Sequence, residues 1–178
     1  SVTLSINAET PEDAENGNMY VVFVTAQGHD DEFFEDDFEM NTEGNRAAGW
    51  NVITGEDTSV LTVSSNGGKA IELYDNNKQS KDNLAYMNKE FLPQTGKFSV
   101  EWKLNDKRMS GQNSVRFILH QGPAGEPSDK TNFVIESYLN KNGNLVYRSN
   151  GTTTNRTIKN GLAANTWHTI KYVVDMDS

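Results

Sequence analysis

The sequence predicts an all-β fold in which two antiparallel sheets pack together as a β-sandwich or jelly roll. Short runs in which apolar and polar residues alternate recur along the whole chain. Asn-Gly and Gly-Gly pairs separate many of these runs, and they favour the tight turns that join antiparallel strands. Long stretches with the 3.6-residue period of a helix are absent. Many short strands with turns between them are typical of two packed antiparallel sheets.

The candidate strands follow the alternating runs in chain order. Each candidate strand except the last is followed by polar turn residues, often Gly, Asn, Asp or Pro. The last candidate strand ends within "YVVDM". The predicted strands are 2–6, 19–26, 33–39, 50–53, 60–63, 70–74, 84–91, 96–104, 114–120, 132–139, 144–149 and 166–176.

Two of these segments carry the clearest patterns. In "GKFSVEWKLND", alternation assigns Phe98, Val100, Trp102 and Leu104 to one face, so Trp102 is predicted to lie in the core. In "NFVIESYLNKNGNLVYRS", two alternating runs flank the Asn-Gly pair at 142–143. This pattern predicts a hairpin with a type I′ turn, because both central residues tolerate a positive φ.

The charge and hydropathy of the chain limit the kinds of partner that it can be expected to bind. The 178 residues include 16 Lys and Arg against 25 Asp and Glu, for a formal net charge of -9. A field of this sign repels nucleic acid unless a basic stripe stands out, and none does. No apolar run approaches the roughly 18 residues of a membrane-spanning helix. We therefore expect neither a nucleic-acid nor a membrane partner. The absence of cysteine excludes a disulfide framework and thiolate chemistry.

We expect the chain to divide near residue 28, where the polar "QGHDDE" separates an apolar hairpin from a carboxylate-rich strand. Residues 1–28 are either the end of a preceding immunoglobulin-like domain or extra strands of the main sandwich. Residues 29–178 are predicted to form the jelly-roll domain. The chain stops abruptly after "YVVDMDS", and a missing partner strand would leave an unpaired edge. We expect either that the domain continues into its last natural strand or strands, or that the N-terminal hairpin fills that place. The start has no signal-peptide pattern, so any export signal is expected upstream.

Five motifs then follow one another in a recognisable order. They are "DDFE" at 36–39, "GW" at 49–50, "TGKFSVEWKL", "NGNLVYR" and "NTWHTIKYVVDMDS". Together they resemble the LamG-like, concanavalin A-type jelly rolls found beside catalytic domains in bacterial polysaccharide lyases and glycoside hydrolases. The resemblance covers roughly residues 33–178. It implies a secreted or cell-surface bacterial protein tethered to a catalytic domain. It does not select the ligand, because this superfamily hosts lectins, enzymes and adhesion domains.

Sugar binding needs an aromatic face and planar polar groups that reach hydroxyls or carboxylates. One face of the later predicted strands carries such groups at Arg116, His120, Glu136, Tyr138 and Arg148. Tyr74, which begins the long loop "YDNNKQSKDN", is a further candidate. Glu101 and Lys103 are expected nearby. The alternative is a solvent-facing sheet with ordinary ion pairs, such as Glu136 with Arg148.

Catalysis is not expected. Retaining glycosidases of the resembled fold carry a Glu-x-Asp-x-x-Glu pattern that places two carboxyls beside the scissile bond, and this chain has none. Alginate-lyase-like members carry an Arg-rich strand and a Gln-x-His motif, which "SVRFILHQG" does not match. The nucleophile elbow, the zinc-protease helix motif and the phosphate-binding loop are also missing.

The stretch "FFEDDFEMNTEGNRAAGW" at 33–50 combines aromatic side chains with clustered carboxylates. The resemblance implies, as an option, a structural calcium ion held by acidic residues near the first and last strands: Asp36, Asp37 and Glu39 with Asp175 or Asp177. Alternation places Asp36 beside the predicted core anchors Phe34 and Phe38, where a lone carboxylate is costly unless it is hydrogen-bonded or bound to a cation. The alternative is a solvated acidic edge that prevents sheet-to-sheet aggregation.

These observations favour a non-catalytic carbohydrate-binding, lectin-like accessory module of a secreted polysaccharide-degrading enzyme. Its expected partner is a polysaccharide or oligosaccharide, with structural calcium as an option. The alternative is a structural or adhesion β-sandwich domain of a cell-surface protein. A polysaccharide lyase or glycoside hydrolase is less favoured, since no pair of catalytic groups stands out.

Overall fold

A computed structural model describes residues 2–9, 17–27, 32–76, 85–92, 95–107, 114–122, 133–149 and 154–175. Every regular element in these ranges is a β-strand, which confirms the all-β prediction. The strands are β1 Val2–Glu9, β2 Gly17–Gln27, β3 Glu32–Asp36, β4 Asn51–Ile53, β5 Thr58–Ser65, β6 Gly68–Asp75, β7 Ala85–Phe91, β8 Lys97–Asp106, β9 Ser114–Gln121, β10 Phe133–Leu139, β11 Leu145–Ser149, β12 Arg156–Lys159 and β13 Trp167–Asp175.

These strands form two sheets in which every pairing is antiparallel. The seven-stranded sheet has the order β12-β11-β10-β9-β1-β7-β4. The six-stranded sheet has the order β13-β8-β2-β6-β5, and β3 pairs with β2 beside this path. Within the described ranges, β12 and β13 are therefore edge strands of different sheets. The predicted antiparallel sheets are confirmed at this level.

The first two strands lie inside the two sheets. β1 pairs with both β7 and β9, and β2 pairs with both β6 and β8. This pairing fits the alternative in which the N-terminal segment adds strands to the main sheets. The expected boundary segment itself, residues 28–31, lies outside the described residues, so the division of the chain at this point stays a prediction.

Side chains of both sheets meet in one hydrophobic core. On β8 the predicted alternation is correct, because Phe98, Val100, Trp102 and Leu104 are all buried. The Trp102 ring stacks on Phe117 of the seven-stranded sheet at a centroid distance of 4.4 Å. Burial of a large apolar side chain stabilises a fold by roughly 1.5–3 kcal/mol. Trp102 is thus a core residue that joins the sheets rather than a platform for ligand.

The turns lie where the sequence predicts them, but the turn type is not always the predicted one. At Asn66-Gly67 both residues have positive φ, 50° and 83°, so this pair makes the two-residue type I′ hairpin between β5 and β6. The predicted hairpin between β10 and β11 is also present. Its turn differs, since at 142–143 only Gly143 has a positive φ, 73°. The Gly143 N–H donates to the Asn140 carbonyl, as in a type I turn followed by a left-handed glycine.

Several strands begin or end a few residues away from their predicted bounds, and two differences from the prediction change which residues form strands near the candidate sites. β3 ends at Asp36 instead of continuing to residue 39, because Phe38 has a φ of 63°, which a continuing strand does not allow. Phe38 is nevertheless buried, as a core anchor should be. The Phe34 side chain lies outside the described set. β12 was not predicted, and all four of its residues are exposed, so no burial pattern marks it in the sequence.

Candidate functional site

The polar candidates lie on one face of the seven-stranded sheet. Because Ile6, Met87 and Phe117 point into the core, their strand neighbours point the opposite way. We call that opposite side the outer face. Its described side chains on β7, β9, β10 and β11 are Tyr86, Asn88, Glu90, Arg116, Ile118, His120, Phe133, Glu136, Tyr138, Val146 and Arg148. The structure therefore brings five of the six predicted sugar-site residues to a single surface.

Strand register aligns several of these groups in a line across the sheet. Asn88 on β7 pairs with Ser5, Ser5 pairs with Ile118, Ile118 pairs with Glu136, and Glu136 pairs with Arg148. Neighbouring strands are about 4.8 Å apart, so Asn88 and Glu136, three strands apart, are separated by about 14 Å across the sheet. This span is long enough for more than one sugar ring.

One buried carboxylate holds two guanidinium groups at the centre of this surface. Arg116 Nη1 donates to Glu136 Oε1 at 3.0 Å, and Arg148 Nη2 donates to Glu136 Oε2. The Glu136 side chain is 5% exposed, whereas those of Arg116 and Arg148 are 23% and 22% exposed. We call these three residues the Arg-Glu-Arg cluster. Such charge-assisted hydrogen bonds fix planar donors in position, which suits recognition of hydroxyl and carboxylate oxygens.

An aromatic ring supports the cluster from one side. The Arg148 guanidinium lies over the Phe133 ring, with Cζ 4.9 Å from the ring centroid. Phe133 is buried and pairs in register with His120, which is also buried. A guanidinium over an aromatic face gains roughly 0.5–2 kcal/mol, more as water is excluded. The contact restrains Arg148 in addition to its bond with Glu136.

The outer face is partly covered rather than flat and open. His120, Ile118 and Val146 are buried although they point away from the core, and exposure is intermediate at Tyr138. Two buried donors on this face, Asn88 Nδ2 and Arg148 Nε, have no hydrogen-bond partner in the described structure. An unpaired buried donor costs about 1–3 kcal/mol, so a ligand oxygen at either position would recover free energy.

The structure separates three expected neighbours from this surface. Tyr74 lies on β6, and its neighbours Ile71 and Leu73 show that it points to the side of the six-stranded sheet opposite the core. Glu101 and Lys103 lie on β8 of the same sheet, so the expectation that they adjoin Arg116 is wrong. The core lies between these residues and the Arg-Glu-Arg cluster. The alternation of residues along a strand shows which side of that strand each residue lies on. It does not show which of the two sheets contains the strand.

Sequence reasoning missed Asn88 and Phe133. Asn88 lies in "LAYMNKEF", where four consecutive residues of β7 are buried. Apolar and polar residues do not alternate here, so the pattern does not show which face Asn88 lies on. Phe133 sits at the start of β10 next to an irregularity in the register with β9. This shift changes which side chains share a face, so simple alternation from Glu136 does not locate the ring. In both cases the useful signal is pairing between distant strands, which one sequence does not contain.

The acidic stretch forms its own local network. Asp36 Oδ2 accepts a hydrogen bond from Trp50 Nε1 at 2.8 Å, and Asp36 Oδ1 accepts one from the Phe38 N–H at 3.0 Å. The Phe38 and Trp50 rings lie 6.1 Å apart, and Lys89 Nζ lies 5.6 Å from the Trp50 ring centroid. The prediction that Asp36 needs a bonded partner is met by Trp50. Trp50 is thereby a buried anchor of this segment.

The other three predicted calcium ligands have separate partners. Asp37 Oδ1 accepts the Glu39 N–H at 3.0 Å, and Glu39 Oε1 accepts the Lys69 N–H at 2.7 Å. Asp175 lies at the end of β13, 3.6 Å from Lys97 Nζ. Asp177, the alternative to Asp175, lies outside the described residues. Among the described residues, no group of three or more His, Cys, Asp and Glu side chains could hold a metal ion. The structure does not bring the four together, and calcium binding stays a prediction.

A pocket lies between the edge strands β12 and β13. This pocket of about 310 Å³ is lined mainly by Leu145, Ile158, Leu162, Ile170 and Tyr172, and His168 lies at its side. His168 Nε2 donates to the Ala163 carbonyl at 2.9 Å. Apart from Tyr172, the named wall residues are aliphatic, and the polar candidates of the outer face take no part in it.

Tyr172 also contributes an unsatisfied hydroxyl to the core behind this pocket. Its ring meets Trp102 edge to face at 4.7 Å. Within the described part of the chain, the Tyr172 and Ser137 hydroxyls are both buried, and neither makes a hydrogen bond of good geometry, although Ser137 lies close enough to act on the phenol. Burial raises the pKa of the Tyr172 phenol above its usual value, and the Ser137 hydroxyl partly opposes this rise. The phenol is therefore neutral across the physiological pH range.

No protein-family model, curated protein or solved structure matches this chain. Among the residues that the structure describes, there is no helix long and apolar enough to cross a membrane.

Proposed function

We propose that this chain is a non-catalytic, lectin-like carbohydrate-binding module whose ligand lies on the outer face of the seven-stranded sheet. The observation that carries the proposal is the Arg-Glu-Arg cluster, in which two partly exposed guanidinium groups are held by one buried carboxylate. Planar donors held in place lose little conformational entropy when they bind sugar oxygens. Tyr138, which pairs with Arg116 in the register, supplies an aromatic ring for stacking.

The wider context of the module is part of the same proposal. We infer that its two sheets form a concanavalin A-type jelly roll of the LamG-like kind, as the five sequence motifs suggest. Such a module would be secreted or displayed by a bacterium and tethered to a catalytic domain acting on a polysaccharide. A calcium ion near Asp36, Asp37 and Glu39 would be structural, and it would have to compete with the Trp50 indole for Asp36.

Affinity electrophoresis and calorimetry against neutral, acidic and fructan polysaccharides test this function. We expect binding to at least one polysaccharide, and loss of that binding when Arg116, Tyr138 and Arg148 are all replaced by Ala. Lys103→Ala, on the opposite sheet, is the matched control and should retain binding. A folded protein that binds none of the polysaccharides, or a triple variant that binds as well as the parent, would contradict the proposal.

A structural or adhesion domain is the second candidate. Exposed apolar side chains on the two edge strands favour it: Ile158 is 52% and Val173 is 71% exposed. Apolar groups on strand edges suit contacts with another protein. This reading predicts no polysaccharide affinity and self-association or capture of a partner that Ile158→Ser weakens. A lyase or hydrolase would instead release reducing ends or unsaturated products, which absorbance assays detect directly.

A further inference from the structure

We propose that the pocket between β12 and β13 binds a small amphipathic carboxylate. The apolar chain of this ligand would fill the pocket, and its carboxylate would lie beside Lys159 at the mouth. The site is separate from the proposed sugar surface, because none of the described residues that line the pocket belongs to the Arg-Glu-Arg cluster. Binding here therefore goes beyond the proposed carbohydrate binding and does not depend on it.

A bulge in β12 shapes one wall of the pocket. In the register of β11 with β12, Leu145 pairs with Lys159, and the next residue of β11 pairs with Thr157. Ile158 is therefore an extra residue between these two pairs. Consecutive residues of a regular strand point to opposite faces, but a bulge re-aims one of them. Ile158 and Lys159 both line the pocket, so the bulge places an apolar and a cationic side chain on the same wall.

The interior of the pocket is apolar and has room for a chain of moderate length. Leu145, Ile170 and Tyr172 are 7%, 7% and 8% exposed, whereas Ile158 is 52% exposed. The volume of about 310 Å³ is roughly twice the 150 Å³ of an apolar cavity that holds benzene. The pocket can therefore take roughly a dozen non-hydrogen atoms. A chain that covers Ile158 removes apolar surface from water, which favours binding.

The charges at the pocket favour an anion. All of its described lining residues lie within 145–172, and residues 137–174 contain no Asp or Glu, although the chain has 25 of them. Lys159 and Lys171 are exposed members of the lining. Lys159 makes no ion pair with any described residue. Lys171 Nζ lies 4.0 Å from Glu101 Oε2, but these side chains are 51% and 29% exposed, so water weakens the pair.

The acidic side chains of the adjoining strands lie outside the pocket. β11 and β12 contain none, β13 contains Asp175, and β8 contains Glu101 and Asp106. None of these three is among the described lining residues, and Asp175 pairs with Lys97. A carboxylate at the mouth would therefore meet Lys159 without a competing acidic group in the described lining, whereas an ammonium group would be repelled.

Nuclear magnetic resonance titrations of the whole chain test this site. The probes are octanoate, 1-octanol and octylammonium, which share one chain length, each used below its aggregation concentration. We expect saturable binding of octanoate tighter than about 1 mM, with amide shifts confined to β11, β12, β13 and the segment that joins the last two. Octanoate should bind about threefold or more tightly than 1-octanol, and octylammonium more weakly than either. Lengthening the carboxylate chain from hexanoate to decanoate should raise the affinity by up to about fourfold per methylene.

Two substitutions with the same change in charge locate the carboxylate. Lys159→Gln should remove the preference for octanoate over 1-octanol and leave the affinity for the alcohol unchanged. Lys97→Gln is the matched control and should keep the preference, since Lys97 is exposed, lies on β8 and does not line the pocket. Ile158→Ser should weaken octanoate and 1-octanol alike, because both chains lose the same apolar contact. Circular dichroism and urea midpoints establish that each variant is folded.

Three results would overturn the inference. The first is no saturable binding of octanoate, or shifts that lie outside β11, β12, β13 and their connection. The second is equal affinity for octanoate and 1-octanol, or a preference that survives in Lys159→Gln or disappears in Lys97→Gln. The third is a dimer that Ile158→Ser converts to monomers in size-exclusion chromatography, which would assign the pocket to a second copy of the chain. The polysaccharide assays test a different surface, so their failure would leave this site standing.

Discussion

Glu136→Gln is the sharpest perturbation of the proposed site, because it keeps the side-chain shape and removes the charge on which two arginines depend. One carboxylate oxygen becomes an amide NH₂ and then faces a guanidinium nitrogen, donor against donor. Hydrogen bonds to charged groups contribute about 1.5–3 kcal/mol each. The arginine side chains are 23% and 22% exposed, so water recovers part of the loss. We expect the free energy of unfolding to fall by about 2–4 kcal/mol.

Urea denaturation measures this loss. Small domains have slopes of about 1–3 kcal/mol per molar urea, so the midpoint should fall by roughly 1–2 M with an unchanged slope. Lys97→Gln is the control, since Lys97 pairs with Asp175 at 3.6 Å in an exposed ion pair. Exposed pairs contribute about 0–1 kcal/mol. If Glu136→Gln costs no more than this control, Glu136 does not hold the two arginines together.

A double-mutant cycle separates the pairwise contact from general damage. Arg148→Met alone, Glu136→Gln alone and the double variant are compared by the same urea assay. Residues that share a hydrogen-bond network show coupling energies of about 0.5–3 kcal/mol. We expect coupling in the upper half of that range. Additive effects would mean that the Arg148–Glu136 contact contributes nothing of its own.

The remaining predictions concern the core and the acidic segment. Tyr172→Phe removes a buried hydroxyl that makes no hydrogen bond of good geometry among the described residues, so we expect stability at neutral pH to be unchanged or up to about 1 kcal/mol higher. Because the folded pKa of Tyr172 is raised, the parent is fully stable below the unfolded pKa of about 10 and loses stability above it. The urea midpoint of the parent should therefore fall relative to that of the variant when the pH is raised from 7 to above 10. An unchanged difference between the two midpoints would refute the raised pKa of Tyr172. Trp50→Phe leaves Asp36 Oδ2 without its indole donor and should cost about 1–3 kcal/mol, whereas a loss under about 0.5 kcal/mol would rule out that bond as an anchor. Gly67→Ala, at a φ of 83° with open space around it, should cost about 1–2 kcal/mol from backbone strain alone, and an unchanged midpoint would contradict the turn. If calcium binds near Asp36, EGTA should lower the urea midpoint of the parent and not that of Asp36→Asn, and an unchanged parent removes calcium from this site.

Much of the fold could be read from local pattern because burial on one side of a strand leaves a period of two. β8 is the clearest example, since Phe98 to Leu104 alternate as their burial requires. Turn positions were also predictable, as at Asn66-Gly67 and Gly143. Turn type was not, because the backbone at residue 142 depends on how β10 and β11 align. The positive φ of Phe38 was not predictable either. Phe38 lies beside the contact between Trp50 and Asp36, which the local sequence pattern does not show.

The candidate site divides in the same way. Local alternation placed Glu136 opposite Arg148, because one tight turn connects their strands. It did not show that Arg116 shares the same carboxylate, since that depends on β9 lying beside β10. Tyr74 and Lys103 were expected near the same surface because polar residues alternate with apolar ones on their strands too. Their strands belong to the other sheet, so they lie away from Glu136.

The class of structure, the sides of individual strands and the main turn positions depend on residues a few positions apart, so they could be predicted from the local sequence. The neighbours of each strand, the sheet that contains it, and therefore the charges that meet depend on contacts between distant segments. The physical reason is that strand pairing joins residues far apart in the chain, and its register is selected by burial of the whole core. The Arg-Glu-Arg cluster exists only because that packing brings β9, β10 and β11 side by side.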